Sequence, residues 1–142
     1  MRFRIAAFVI ASAGIGVLCG QSQTTIKKVP VTSTSPSDGK QMFQTYCAVC
    51  HGQDGKGVGP AADALKKAPA DLTQLTRKSN GKFPEQRVSL VITTGPSEIL
   101  AHGSKEMPVW GDLFKHMGSS DPGVARLRIV NLTDYIKSIQ AK

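Results

Sequence analysis

Towards the C-terminus, apolar residues recur every three or four positions at Ile129, Leu132, Tyr135, Ile136 and Ile139, which is the spacing of one helical face. Ser120 or Asp121 can cap this helix, and Pro122 stands at its start, where a missing N–H costs nothing. A second helix is predicted with Pro84 in its first position, Val88, Val91 and Ile92 at helical spacing, and Gly95 after the run. A third, short and amphipathic, is capped by Ser37 or Asp38, carries Met42, Phe43 and Tyr46, and runs into Cys47. Weaker signals give a helical turn or two over residues 61–67, closed by Pro69, and a short helix capped by Asp71 that runs through Leu75.

Two stretches between these helices cannot be regular. The segment HGQDGKGVGP at residues 51–60 is a loop by its glycines and by Pro60. Gly95 and Pro96 open a second long loop through His102, Gly103, Met107 and Pro108. No strand pattern and no internal repeat is present, so the expectation is an all-α fold with one domain over residues 38–142.

The N-terminus breaks the pattern. Arg2 and Arg4 precede an uncharged apolar run over residues 5–18, the layout of a secretory signal and too short to span a bilayer comfortably. Residues 1–20 are therefore assigned to a signal peptide, which places the mature chain in the periplasm or on the outer face of the cytoplasmic membrane. Cys19 directly after the apolar run also fits a lipid-attachment cysteine, although Leu18 before it is bulkier than such signals use. Membrane contact is expected only through such a lipid or an uncleaved anchor. Residues 21–37, rich in Ser, Thr and Pro, read as a flexible linker able to reach up to ~60 Å when extended.

Charge adds one point. The 142 residues carry a net +8, and loss of Arg2 and Arg4 leaves sixteen basic against ten acidic residues, a net +6. The lysines and arginines are spread through the chain rather than gathered in an arm, which argues against nucleic acid and for a generally positive surface.

The chemistry is concentrated in Cys47-Ala48-Val49-Cys50-His51. In this C-x-x-C-H string two thiols one helical turn apart can each add across a haem vinyl group while the adjacent imidazole faces the iron. A zinc site would want four ligands, and no second cysteine pair follows. A dithiol redox motif sits more naturally in an α/β fold, and a structural disulfide gives no reason for His51. The motif occurs once, so one covalently bound haem c is expected.

From residue 38 onward the chain resembles a bacterial class I c-type cytochrome. Gly39 and Phe43, eight and four residues before Cys47, are similar to that family's first-helix glycine and aromatic, and Leu132 and Tyr135 to their partners on the last helix. The resemblance implies a cytochrome c fold in which first and last helices cross. Gly59-Pro60 is similar to the family's Gly-Pro, which implies that the Pro60 carbonyl accepts a hydrogen bond from His51 and leaves its other nitrogen for iron. Met107-Pro108-Val109-Trp110-Gly111 resembles the segment that supplies the sixth ligand, which implies Met107 opposite His51; His102, five residues earlier, is the competing ligand. Trp110 is expected to pack near the haem.

The function implied is single-electron transfer between redox proteins such as an oxidase, a quinol-oxidising complex or a dehydrogenase, with no residue catalytic in the acid–base sense, by a monomer. A peroxidase or ligand sensor with an open iron position is the alternative from another class. A tethered subunit of a larger complex is an alternative to a diffusing shuttle.

Overall fold

The first helix begins where Asp38 accepts a hydrogen bond from the Gln41 N–H at 2.8 Å, one of the orphan donors of a helix start. A computed structural model describes residues 32–96, 107–119 and 121–142. The signal peptide, Cys19, residues 21–31 of the linker and His102 lie outside the described residues.

Helix α1 (Gly39–Met42) passes into a π-helical turn (Phe43–Cys47) and then into α2 (Ala48–His51), so the run ends on the C-x-x-C-H string. The wide turn is closed by the Ala48 N–H on the Phe43 carbonyl, one residue beyond α-helical reach, a feature that recurs at functional sites. Gly52 at φ 78° stops the run. The loop that follows folds back onto the free carbonyls of α2: Gly57 N–H donates to His51 at 2.7 Å, Gly59 to Cys50 at 3.0 Å and Ala61 to Val49 at 2.8 Å.

The turn expected over 61–67 is a single 3-10 turn (Ala62–Ala64). Asp71 caps as predicted, taking the Thr73 N–H at 2.9 Å, and its 3-10 turn (Leu72–Gln74) continues into α3 (Leu75–Lys78). Helix α4 (Glu85–Thr94) buries Val88 and Ile92; Pro84 occupies its cap rather than its first position. The second loop holds a helix that the sequence pattern did not reveal, α5 (Trp110–Lys115), which buries Trp110 and Phe114 one turn apart.

Helix α6 (Pro122–Ser138) is capped by Asp121 and buries Leu132 and Ile136, with Ile129, Tyr135 and Ile139 packed at the core's edge. It crosses α1 at Gly39, and the Phe43 and Tyr135 rings meet with centroids 5.2 Å apart. Beyond α6, Gln140 accepts from the Thr76 N–H and donates to the Leu72 carbonyl, while the Ala141 N–H reaches Thr73. The last helix thereby holds the first helix, and the residues just beyond it hold the 72–76 segment. No described residue lies in a strand, and no helix among them is long and apolar enough to cross a membrane.

The end of the expected linker is a correction. Residues 32–37 belong to the folded body rather than to a free tether: Thr34 is buried, Ser35 N–H donates to the Gln41 side chain, and Asn131 donates to the Pro36 carbonyl at 2.9 Å. Side-chain acceptors and donors on α1 and α6 satisfy this short backbone stretch, which composition alone cannot disclose.

Candidate functional site

The C-x-x-C-H residues stand at the wall of a cavity of about 660 Å³, within the ~300–1,000 Å³ of small-molecule sites. Cys47, Cys50 and His51 line one side, from the end of the first helix. Leu72 and Leu75 come from the segment held by the C-terminus, and Val88 and Ile92 from α4. Met107 and Trp110 line it from the second loop and the start of α5. The volume, the mainly aliphatic and aromatic wall and the two thiols suit a flat apolar ring attached along one edge.

The orientation of His51 is set by its own backbone surroundings. Its Nδ1 lies 3.0 Å from the Ala70 carbonyl oxygen. A carbonyl only accepts, so Nδ1 carries the hydrogen and Nε2 keeps its lone pair, the form of imidazole that binds metals. Burial holds the His51 pKa below its ordinary value, and the bond to Ala70 opposes this less strongly. Burial, the larger effect, thus presents a neutral ligand at neutral pH.

That partner corrects the expectation for Pro60, which is exposed: the carbonyl at the ring is that of Ala70. On either side of Pro60, the Gly59 and Ala61 N–H groups are engaged with the Cys50 and Val49 carbonyls. Gly57, at φ 87°, passes so close to the Pro69 carbonyl that any Cβ there would overlap it, and Leu72 N–H donates to Gly55 at 2.8 Å. These contacts press the 69–72 segment against the loop and bring the Ala70 carbonyl to the ring. The Pro69-Ala70-Asp71 string, with its capping aspartate, was the available signal.

Cys47 and Cys50 are free thiols at half-buried positions. Cys47 keeps some surface, yet burial, with a smaller contribution from Cys50, pushes the pKa of its thiol up to about 12. Among the described residues no three His, Cys, Asp or Glu side chains come together as a metal-ion site. The cavity wall carries the imidazole of His51 and the methionine Met107 beside the two thiols, side chains that would suit an iron whose other ligands come from a macrocycle.

Trp110 is buried against Tyr46, with ring centroids 5.2 Å apart, and against Phe114 at 5.7 Å. Tyr46 also lines the cavity, and its hydroxyl sits 3.0 Å from both Thr34 Oγ1 and Met117 Sδ. This aromatic wall behind the two-thiol helix was missed in the sequence, where Tyr46 read only as a core residue.

A family model described as cytochrome c oxidase, cbb3-type, subunit III matches residues 34–119. The chain belongs to this family. Its members are c-type cytochromes with covalently attached haem c, so this all-α chain is a haem c electron-transfer cytochrome. No curated protein matches the chain. The match ends before α6, although α6 supplies Ile136 to the cavity wall.

Proposed function

We propose that this cytochrome carries one electron at a time between larger respiratory redox proteins outside the cytoplasmic membrane, with His51 and Met107 as the axial ligands of its haem iron. One observation carries the reading: Met107 and His51 line the same cavity as the two thiols of the C-x-x-C-H string. Haem c bound there supplies a one-electron iron(III)/iron(II) couple, which thioether ligation and exclusion of water shift towards the reduced form.

The chain's own residues then have distinct tasks. Cys47 and Cys50 would hold the ring through thioether bonds, and Ala70 holds the His51 tautomer. Met107 would occupy the remaining iron position against small ligands, which would favour electron transfer over oxygen or peroxide chemistry. Trp110, Leu72, Leu75 and Ile92 keep water out. Val49, between the two cysteines, is 48% exposed, so this part of the wall is at the surface where a partner can approach. Lys67, Lys78 and Arg87 are exposed beside the cavity and suit an acidic partner.

The test is the oxidised absorption spectrum of the holoprotein. A weak far-red sulfur-to-iron band, lost in Met107→Ala, is the expected result. A wild type without that band, high-spin and binding carbon monoxide rapidly when reduced, would overturn the ligand assignment and with it the carrier role.

A further inference from the structure

Arg128 is buried in the middle of α6 with 2% of its surface exposed. Its Nη1 donates to Thr34 Oγ1 at 3.1 Å and points weakly at Met42 Sδ at 3.8 Å, and its Nε has no hydrogen-bond partner. The guanidinium carbon lies 5.8 Å from the centre of the Phe114 ring. Among the described residues no carboxylate pairs with it. An arginine keeps its charge when buried, and an unpaired buried charge is costly; an apolar residue of similar volume is often no worse for stability. Packing therefore does not account for this side chain.

Its position does. Thr34 bridges Arg128 to the Tyr46 hydroxyl, and Phe114 bridges it to the Trp110 ring; Tyr46 and Trp110 both line the haem cavity. The fixed positive charge thus stands one side-chain layer behind the cavity wall along two separate routes. A cation held in a dry interior favours arrival of an electron nearby, and solvent salt screens it little.

We infer that Arg128 is a positioning charge that raises the reduction potential of the haem, an inference that rests on the electron-carrier reading above. One unit charge about two side-chain layers away, at an effective dielectric near 20, shifts a one-electron equilibrium by about tenfold.

Redox titration of the purified holoprotein tests it. Arg128→Met and Arg128→Gln should each lower the midpoint by ~59 mV, the equivalent of tenfold for one electron, and the loss should persist at high salt. Thr34→Asp, which sets a carboxylate against the guanidinium, should lower it in the same direction. Thr34→Val breaks the hydrogen bond but keeps the charge, and should leave the midpoint in place. An unchanged midpoint in Arg128→Gln, or an equal fall in Thr34→Val, overturns the proposal; so does failure of every charge-removing variant to accumulate as holoprotein, which would make Arg128 structural. Failure of the carrier reading is seen separately, as a wild type whose mass and spectrum show no attached haem.

Discussion

Gly39 on the first helix passes so close to the carbonyl of Asn131 on the last that any Cβ at position 39 would overlap it, with Tyr135 close behind. The crossing that positions Cys47, Cys50 and His51 is therefore set at a residue eight positions before the first thiol. Gly39→Ala should push the helices apart and cost about 1–3 kcal/mol, as overpacking does. Chemical denaturation of the holoprotein measures this. A midpoint equal to wild type would mean that the crossing yields without cost.

The hydroxyl of Tyr46 gathers three partners: the Thr32 carbonyl at 2.7 Å, Thr34 Oγ1 and Met117 Sδ. Tyr46→Phe keeps the ring beside Trp110 and removes only the oxygen. Stability should fall by about 1–2 kcal/mol, the cost of leaving buried polar groups without a partner. Amide exchange should accelerate in residues 32–36 while the haem spectrum stays unchanged. Uniform loss of protection across α4 and α6 instead would deny the hydroxyl a local role.

What the sequence makes legible follows from range. The α6 periodicity, the Asp38 and Asp71 caps and the C-x-x-C-H spacing are local signals, and each stands in the structure at its expected place. The partner of His51 depends on where a chain nineteen residues away is pressed, so Pro60 was named where Ala70 serves. Helix α5 has only six residues and contains Gly111, too short for periodicity to register. Arg128 falls on the buried face of α6 between Ala125 and Leu132, where an apolar pattern has no way to announce a cation. The roles of Met107 and Trp110 came from resemblance; both line the cavity.

The lowered pKa of His51 has a sign that can be checked. The unfolded chain takes up a proton on this imidazole near pH 6.5, whereas the folded chain does so only at lower pH. The stability it contributes is complete above about pH 6.5 and is lost as pH falls through the folded value. In the holoprotein, on the proposed ligation, proton uptake must also displace His51 from iron, which moves the folded value further in the same direction, so the denaturation midpoint should drop between pH 7 and pH 5. A midpoint that stays level across that range would deny the linkage.

Lys67, Lys78 and Arg87 stand exposed beside the cavity, and among the described residues none of them forms an ion pair. Asp71, also on the wall, is occupied in capping, its carboxylate taking both the N–H and the hydroxyl of Thr73. With three cations against that one carboxylate, the charged residues of the wall are net positive and should steer an acidic redox partner. Electron-transfer rates measured by stopped flow should fall as salt shortens the screening length to about 8 Å and below. Lys78→Gln with Arg87→Gln should slow the reaction several-fold at low salt, and both proteins should converge at high salt, because a steering field acts on encounter and is screened. A deficit that persists at high salt would instead place the damage in the haem site itself, since screening cannot restore a disturbed cavity.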